Sequence, residues 1–568
     1  MLRDTIGKII SSALTACQID DEPHLTHPTL TAHGDFSTNV AMLHAKSRGV
    51  PPLELAREIS SKMEKSSLIK EVTVAPPGFI NITLSTPALT QALKNPINIQ
   101  KVDKPQNILL EFGQPNTHKM PHIGHLFSYI YGESLARILE AAGHKVYRAN
   151  YQGDIGPHVA RCLWAVQKQT QKLESLETLS QKVLFLQECY QEGAKAAEEH
   201  EQAKEEIQTI NKALYDGSDE ALTKLWKETR ASCVEYYQIF EESLGIQFDR
   251  SYFETEVEKV GRDIVGKHTP KIFQKGDSDA IVFKGEDYGL HTRVFINRFG
   301  NPTYETKELG LTFQKAKDFD FDLSITTTAS EQNEYMKVVH KAIEQIDPKA
   351  AAKMKHIGYG MITLSTGKMS SRSGNIVTAM SLVNDDVTNK ILHDYYEGDK
   401  NSITDARTIA LAAIKYAFLQ SDHAANKTFD IKKSVAREGD SGPYLQYAYV
   451  RTQAVLQQAP ETSLNDVSTI EWESGEDGRL HDSERAVLTL LYRFPEIVEA
   501  AATSYSPHIV ANYTYSLAQS FSTFYQCCPI IKASDKDTRT LRLAITKAVG
   551  DIIQKSLYLL GIKTMDKM

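Results

Sequence analysis

Four side chains within eight residues have the chemistry to hold phosphate: His118, Lys119, His122 and His125. They share one loop. Ile108 to Phe112 before it is a short apolar strand interrupted by a single acid, Glu111. Gly113, Pro115 and Asn116 are turn residues that end the strand. From Gly124 onward Leu126, Ile130, Leu135, Ile138 and Leu139 fall at helical spacing, and Gly143 is a helix stop. A helix N-terminus offers unpaired N–H groups and partial positive charge, so imidazole and ammonium donors added there describe a triphosphate site. Gly124, without a Cβ, lets a flat base approach the backbone.

His-Ile-Gly-His is too short to carry a conclusion alone. A second element far downstream adds to it. Gly367-Lys-Met-Ser-Ser-Arg-Ser-Gly374 is a small-residue loop with two cations, Lys368 and Arg372, preceded by an apolar strand at Ile362 to Leu364. Such a loop seeks phosphate. The pair resembles the two signatures of class I aminoacyl-tRNA synthetases. The wording around them, Glu111-Phe-Gly-Gln-Pro-Asn116, Gln152-Gly-Asp-Ile-Gly156 and Gly442-Pro-Tyr-Leu-Gln-Tyr447, resembles arginyl-tRNA synthetase over nearly the whole chain.

That resemblance implies a ligase that activates L-arginine with ATP to arginyl-adenylate. It then transfers arginine to the terminal ribose of its tRNA, releasing AMP and pyrophosphate. Mg²⁺ is expected with the ATP phosphates, and no residue is assigned to a resident metal. His122, His125, Lys368 and Arg372 are the implied catalytic set. His118, Lys119, Gly124, Met369, Ser370 and Ser371 join them around ATP. The second signature departs from the family, which commonly has a lysine where Ser373 stands, so Lys368 or a lysine elsewhere must make up the missing cation. The family's activation step generally requires bound tRNA.

A guanidinium is planar, permanently charged and rich in donors, so its pocket calls for carboxylates and amide or phenol oxygens. Glu111, Asn116, Tyr304, Glu308 and Gln332 match the family's arginine-binding positions. Glu111 in an apolar strand is costly unless it meets a cation. Tyr304 and Glu308, four apart, share a helix face. Glu308 stands where the family usually has aspartate, and it is also readable as a solvated helix acid. For tRNA the resemblance points to Phe79 and Asn81 at the elbow, and to Tyr444, Tyr447, Tyr513 and Met568 at the anticodon loop, where rings stack on unpaired bases. From the residues alone Phe79 reads first as a core residue, and Tyr513 reads equally as one.

The elements that must position these groups suggest an α/β fold. A doubly wound, parallel-sheet (Rossmann-like) catalytic domain spans 95–384, with a helical insertion at about 160–245. An α+β tRNA-binding domain (1–94) precedes it, and an all-helical anticodon-binding domain (385–568) follows. Strands are read at 108–112, 145–150, 280–283, 293–297 and 322–326 of the catalytic sheet, with Glu71 to Leu84 a hairpin turning at Pro76-Pro77-Gly78. The composition is that of a globular chain, 41% apolar and 24% charged over 568 residues. A net charge of −8 argues against an indiscriminate nucleic-acid coat while leaving room for a local basic face. The six cysteines lack zinc-like spacing and fit a reducing compartment. No signal peptide or membrane-length apolar run is evident, so a cytoplasmic monomer that engages no membrane is expected. A catalytically dead tRNA binder would lose His122, His125 or Lys368, and a nucleotidylyltransferase of small acids would need no such large flanking domains.

Overall fold

The computed structural model describes residues 2–365, 378–459, 480–533 and 535–568. Lys368, Met369, Ser370, Ser371 and Arg372 lie outside the described residues, as does the acidic stretch 460–479.

Strands β1 (Phe36–Thr38), β2 (Ile69–Ala75) and β3 (Phe79–Leu84) form an antiparallel sheet in the order β1-β3-β2. The hairpin turns where Pro76-Pro77-Gly78 predicts. Helices Leu2–Ala16, Val40–Arg48 and Pro52–Lys62 cover the sheet through Ile6, Ile10, Leu55 and Ile59, all fully buried. This layer is docked on the helical domain. Asp35 accepts from the Leu84 amide at 2.7 Å and pairs with Arg485, while His27 Nε2 meets Glu496 at 2.9 Å.

The central sheet contains β4 (Asn107–Glu111), β5 (Lys145–Gln152), β6 (Arg250–Phe253), β10 (Leu323–Ala329) and β11 (Met354–Tyr359). All are parallel, in the order β11-β10-β4-β5-β6. Ile108, Leu109 and Leu110 of β4 are buried on both faces, as a central parallel strand requires. The chain runs from β4 toward β6, then returns to the other side of β4 for β10 and β11. The crevice between β4 and β10 is therefore the topological switch point, where doubly wound sheets bind ligands.

Two strands read from the sequence as part of this sheet belong elsewhere. Residues 281–283 and 293–296 are β8 and β9, which pair antiparallel with β7 (Gln274–Lys275) in a separate three-stranded sheet. A short reversal through Gly285–Tyr288 joins them, and so short a link can connect only antiparallel neighbours, because parallel pairing needs a crossover. Their places in the central sheet go to β6 and β11. Strands β12 (Ile362–Leu364) and β13 (Lys427–Phe429) make a two-stranded parallel pair.

The insertion forms five helices, from Pro157–Val166 to the long Glu220–Leu244. The C-terminal region is built on the helices Ile403–Leu419, Gly442–Gln457, Asp482–Ser504, His508–Cys527 and Lys536–Leu559; among its described residues it departs from the all-helical expectation only at β13, which lies between the first two and pairs back to β12. Ser441 caps the second of these by accepting from the Tyr444 amide at 3.2 Å, with Pro443 in the first turn. No helix among the described residues is long and apolar enough to cross a membrane.

Candidate functional site

The helix Ile123–Ala142 begins at the switch point, and its histidines form its cap. His122 is the N-cap residue: its Nδ1 accepts from the Gly124 amide at 3.1 Å. His125 Nδ1 accepts in return from the His122 amide at 3.2 Å. This is a capping box in which two imidazoles replace the usual hydroxyl and carboxylate. An Nδ1 that accepts carries no proton, so each neutral ring keeps its N–H at Nε2. His122 keeps an exposed face toward the crevice, while His125 is half-buried beside it. Desolvation, then the Lys119 ammonium, pushes His122 down to about 4. His125 is lowered well below its ordinary value by desolvation, then by His122 and Lys119. The two rings, with centroids 3.9 Å apart, thus act near neutral pH as uncharged donors rather than cations. Gly124 has a second reason to be glycine: a Cβ there would stand 2.9 Å from the His122 ring.

These residues line a crevice of about 610 Å³. Gly113 and Gln114 contribute from the end of β4, Thr328 and Ala329 from the end of β10, and Tyr359 to Leu364 from β11 and β12. Gln332 lies on its rim. The approach loop holds unusual backbone: Gln114 and His118 have φ of 55° and 62°, values that non-glycine residues adopt at a cost and that cluster at functional sites.

His118 does not join this group. It is fully buried on the far side of the loop, Nδ1 against Thr117 Oγ1 at 3.0 Å and Nε2 against Thr229 Oγ1 at 2.9 Å. Burial, then Arg230, pushes it down to about 3. With both ring nitrogens occupied it bolts the loop to the long insertion helix instead of reaching phosphate. The same helix holds the loop through Tyr237, whose hydroxyl donates to the carbonyls of Asn116 (2.7 Å) and Lys119 (2.6 Å). Lys119 lies with its ammonium 4.3 Å from the Tyr190 ring.

The expected arginine residues divide. Glu111, 1% exposed, already meets a cation within the chain: it pairs with Lys315 and accepts from Gln114 Nε2 at 2.6 Å. Glu308 is buried, which rules out the solvated helix acid, and no described side chain donates to its carboxyl group. Burial, then the neighbouring Glu111, raises it to about 8, with Lys315 opposing. The Tyr151 hydroxyl nearby is buried and unpartnered, and its ionisation is disfavoured by burial, then by Glu254 and Glu308. Glu308 and the idle Tyr151 phenol thus lie together in an acid-rich region with Glu111 and Glu254. Asn116 lies over Gly153, where a Cβ would be 2.2 Å from its side-chain oxygen. Tyr304 is exposed, its ring 5.4 Å from Lys307, which is itself paired with Glu254 at 2.7 Å.

In the helical domain, Tyr444, Tyr447 and Met568 line a second cavity of about 660 Å³ with Tyr395, Arg437 and Arg451. Arg451 donates to the Tyr447 hydroxyl at 3.0 Å and lies 4.6 Å from its ring centre. Tyr513 is not there. Its hydroxyl donates to the Leu490 carbonyl at 2.9 Å and its ring packs near Phe494 in the core. Phe79 is exposed at the hairpin, whereas Asn81 is buried, accepting from Ser37 Oγ at 2.7 Å.

Several residues here escaped the sequence reading. Lys315 neutralises Glu111 from seven residues beyond Glu308, two turns along the same helix, a spacing visible in the sequence. Arg451, one turn after Tyr447, was equally visible. Tyr151 and Tyr237 gave no signal, because only the tertiary fold brings them to the acid-rich region and the loop. Asp154 in the Gln152 to Gly156 turn is fully buried and accepts from Thr255 and Arg230, so it joins the insertion to the sheet.

A parallel switch-point crevice with a histidine-capped helix, flanked by an aromatic-lined helical domain, defines the class I synthetase architecture. Family models agree in three segments: "Arginyl tRNA synthetase N terminal domain" over residues 2–84, "tRNA synthetases class I (R), catalytic domain" over 88–431 and "DALR anticodon binding domain" over 445–568. The chain belongs to the arginyl family of class I tRNA synthetases. It is 29% identical over 592 aligned positions to an arginine–tRNA ligase of Borreliella afzelii, covering 100% of this chain and 99% of that one. It is 30% identical to one of Borrelia hermsii over 84% of this chain and 82% of the other. The solved arginyl-tRNA synthetase of Thermus thermophilus has the same fold, with a TM-score of 0.81 at 22% identity and full coverage of both chains. That of Plasmodium falciparum gives 0.78 at 20%, covering 100% and 99%.

Proposed function

We propose that the chain couples ATP to arginine and then charges tRNA, with the crevice holding the nucleotide and the acid-rich region around Glu308 the guanidinium. The observation that carries this is the buried Glu308 carboxyl, without a donor of its own, at the same switch-point end of the sheet as the histidine-capped helix. A permanently charged, donor-rich side chain supplies what that carboxyl and the Tyr151 hydroxyl lack.

In this reading the arginine carboxylate attacks the α-phosphate. The step needs placement and charge neutralisation more than covalent help. His122 and His125 donate from Nε2 to oxygens at the helix N-terminus. Lys368 and Arg372 close over the departing pyrophosphate, and Lys119 is near enough to the histidines to share the work of the cation absent at Ser373. Glu308 takes the guanidinium. Glu111, already neutralised by Lys315, holds the Gln114 side chain at the crevice and leaves the amino end of arginine to Asn116 and Gln332. Tyr304 closes the region.

Among the described residues no three His, Cys, Asp or Glu stand close enough to hold a metal ion. We assign the Mg²⁺ expected with ATP to the nucleotide's own phosphates, and route no protein step through it. Tyr444, Tyr447 and Met568 receive anticodon bases, with Arg451 as the adjoining cation, and Phe79 meets the tRNA elbow. We place this activity in the cytoplasm and in a single chain. The test is ATP–pyrophosphate exchange across the amino acids, with and without tRNA. Arginine-dependent exchange supports the reading, and exchange driven better by another amino acid overturns it.

A further inference from the structure

One buried ammonium lies between elements that lead to the two cavities. Lys415 lies on the helix Ile403–Leu419 and is 6% exposed. Among the described residues no carboxylate pairs with it directly, although the Glu133 charge acts on it and opposes the loss of its proton. Its Nζ donates to the carbonyls of Leu244 (2.7 Å) and Gly561 (2.5 Å). Both acceptors belong to helix C-termini, where unpaired carbonyls and the helix dipole favour a cation. Arg137, itself paired with Glu133 at 2.7 Å, reaches the same two chain ends. It donates to the carbonyls of Gly245 (3.3 Å) and Tyr558 (3.0 Å). Two cations thus staple the same two chain ends.

What those ends carry gives the staple its meaning. The helix ending at Leu244 grips the phosphate loop through Thr229 and Tyr237. Arg137 belongs to the helix capped by His122 and His125, which also donates from Ser134 Oγ to the Leu559 carbonyl at 2.9 Å. On the other side, Gly561 reverses the chain with φ 69°. The tail then runs past Lys563, whose carbonyl accepts from Gln446 at 2.7 Å, to Met568 in the wall of the aromatic cavity. Burying a lysine against carbonyls alone is expensive, and its ammonium is correspondingly pushed down to about 7, by desolvation and then by Arg137. An apolar side chain would fill the space at less cost.

We propose that Lys415 is a positioning residue: it ties the C-terminal tail that lines the tRNA cavity to the helices that hold the phosphate loop, so that occupation of the cavity sets the geometry of the crevice. This rests on the functional reading above. The test is a double-mutant cycle on the full chain between Lys415→Met and removal of the last three residues, following tRNA charging. Each change should lower kcat by about 2- to 30-fold, the range for residues that couple distant sites. KM for ATP should stay at the parent value. The combination should be no worse than the poorer single variant, because both break one link. Charging at the parent kcat by Lys415→Met, a lowered melting temperature being its only defect, would overturn the proposal, as would effects that multiply. Should Lys415→Met fail to fold, Arg137→Met takes its place in the cycle with the same outcomes expected. A parent protein that charges no tRNA would refute the functional reading itself, a result distinct from either.

Discussion

The crevice and the aromatic cavity of the helical domain have similar volumes but are built in opposite ways. In the crevice the functional side chains are fixed by backbone. Two imidazoles each accept a main-chain N–H, and the approach loop is bolted by His118 and Tyr237 to a helix from a different part of the chain. In the cavity the side chains hold one another. Tyr447, 41% exposed, is braced by Arg451, and Arg437 lies 4.1 Å from the Tyr395 ring. The first arrangement suits a reaction that tolerates little displacement. The second suits unpaired bases, whose rings stack on whatever face is offered.

That contrast can be broken most sharply at His125. His125→Ala removes a donor aimed at developing charge, so kcat for adenylation should fall about 10²- to 10³-fold. Stability should fall by only about 1 kcal/mol, the worth of a helix cap. Stopped-flow adenylation beside a melting curve separates the two. A mutant whose kcat is unchanged would make the histidine pair a cap and nothing more.

A smaller effect is expected in the cavity. Tyr447→Ala should weaken tRNA binding by about 1–3 kcal/mol, one stacked base, with adenylation constants for ATP unchanged. Tyr513→Ala should instead show itself mainly as lost stability, since that ring is core. If Tyr447→Ala also raised the KM for ATP at saturating tRNA, the two regions would not be separable in the way their construction implies.

The smallest signals are protons. Glu308 binds a proton more tightly folded, at about 8 against an ordinary 4.5. Its contribution to stability is therefore full below about pH 4.5 and is lost as pH rises through 8. A guanidinium entering the acid-rich region favours the carboxylate, so arginine binding at pH 7 should release up to one proton and affinity should rise with pH toward 8. Calorimetry in buffers of differing ionisation enthalpy measures this, and Glu308→Gln should abolish it. His118 runs the other way. Held at about 3 against an ordinary 6.5, it contributes stability that is complete above pH 6.5 and lost as pH falls toward 3.

How much of this was legible in the sequence depended on distance along the chain. The strand, turn and capped helix around His122 lie in one stretch, and local chemistry suffices to read them. So does the Tyr444 to Tyr447 turn after its Ser441 cap. His118 looked like its neighbours because a list of residues does not say which way a loop faces; φ of 62° turns its ring inward. β8 and β9 carry the apolar runs of sheet strands, yet hairpin connectivity takes them out of the central sheet. β6 and β11 were missed because four residues in one and a Met-Lys-His-Ile-Gly-Tyr pattern in the other look too polar for strands. Glu111 was read as meeting a cation in the arginine ligand, whereas the cation it meets is Lys315, 204 residues away. Partners at that separation are chosen by the fold alone.

The central claim is that buried Glu308, free of any partner within the described chain, waits for arginine. Steady-state kinetics of tRNA-dependent arginine activation by parent and Glu308→Gln addresses it directly, with lysine and glutamine as competitors. The predicted result is a parent that uses arginine alone and a mutant with a sharply raised arginine KM and an unchanged KM for ATP. A mutant that keeps the parent's arginine KM and turnover, or a parent that prefers lysine or glutamine, would contradict it.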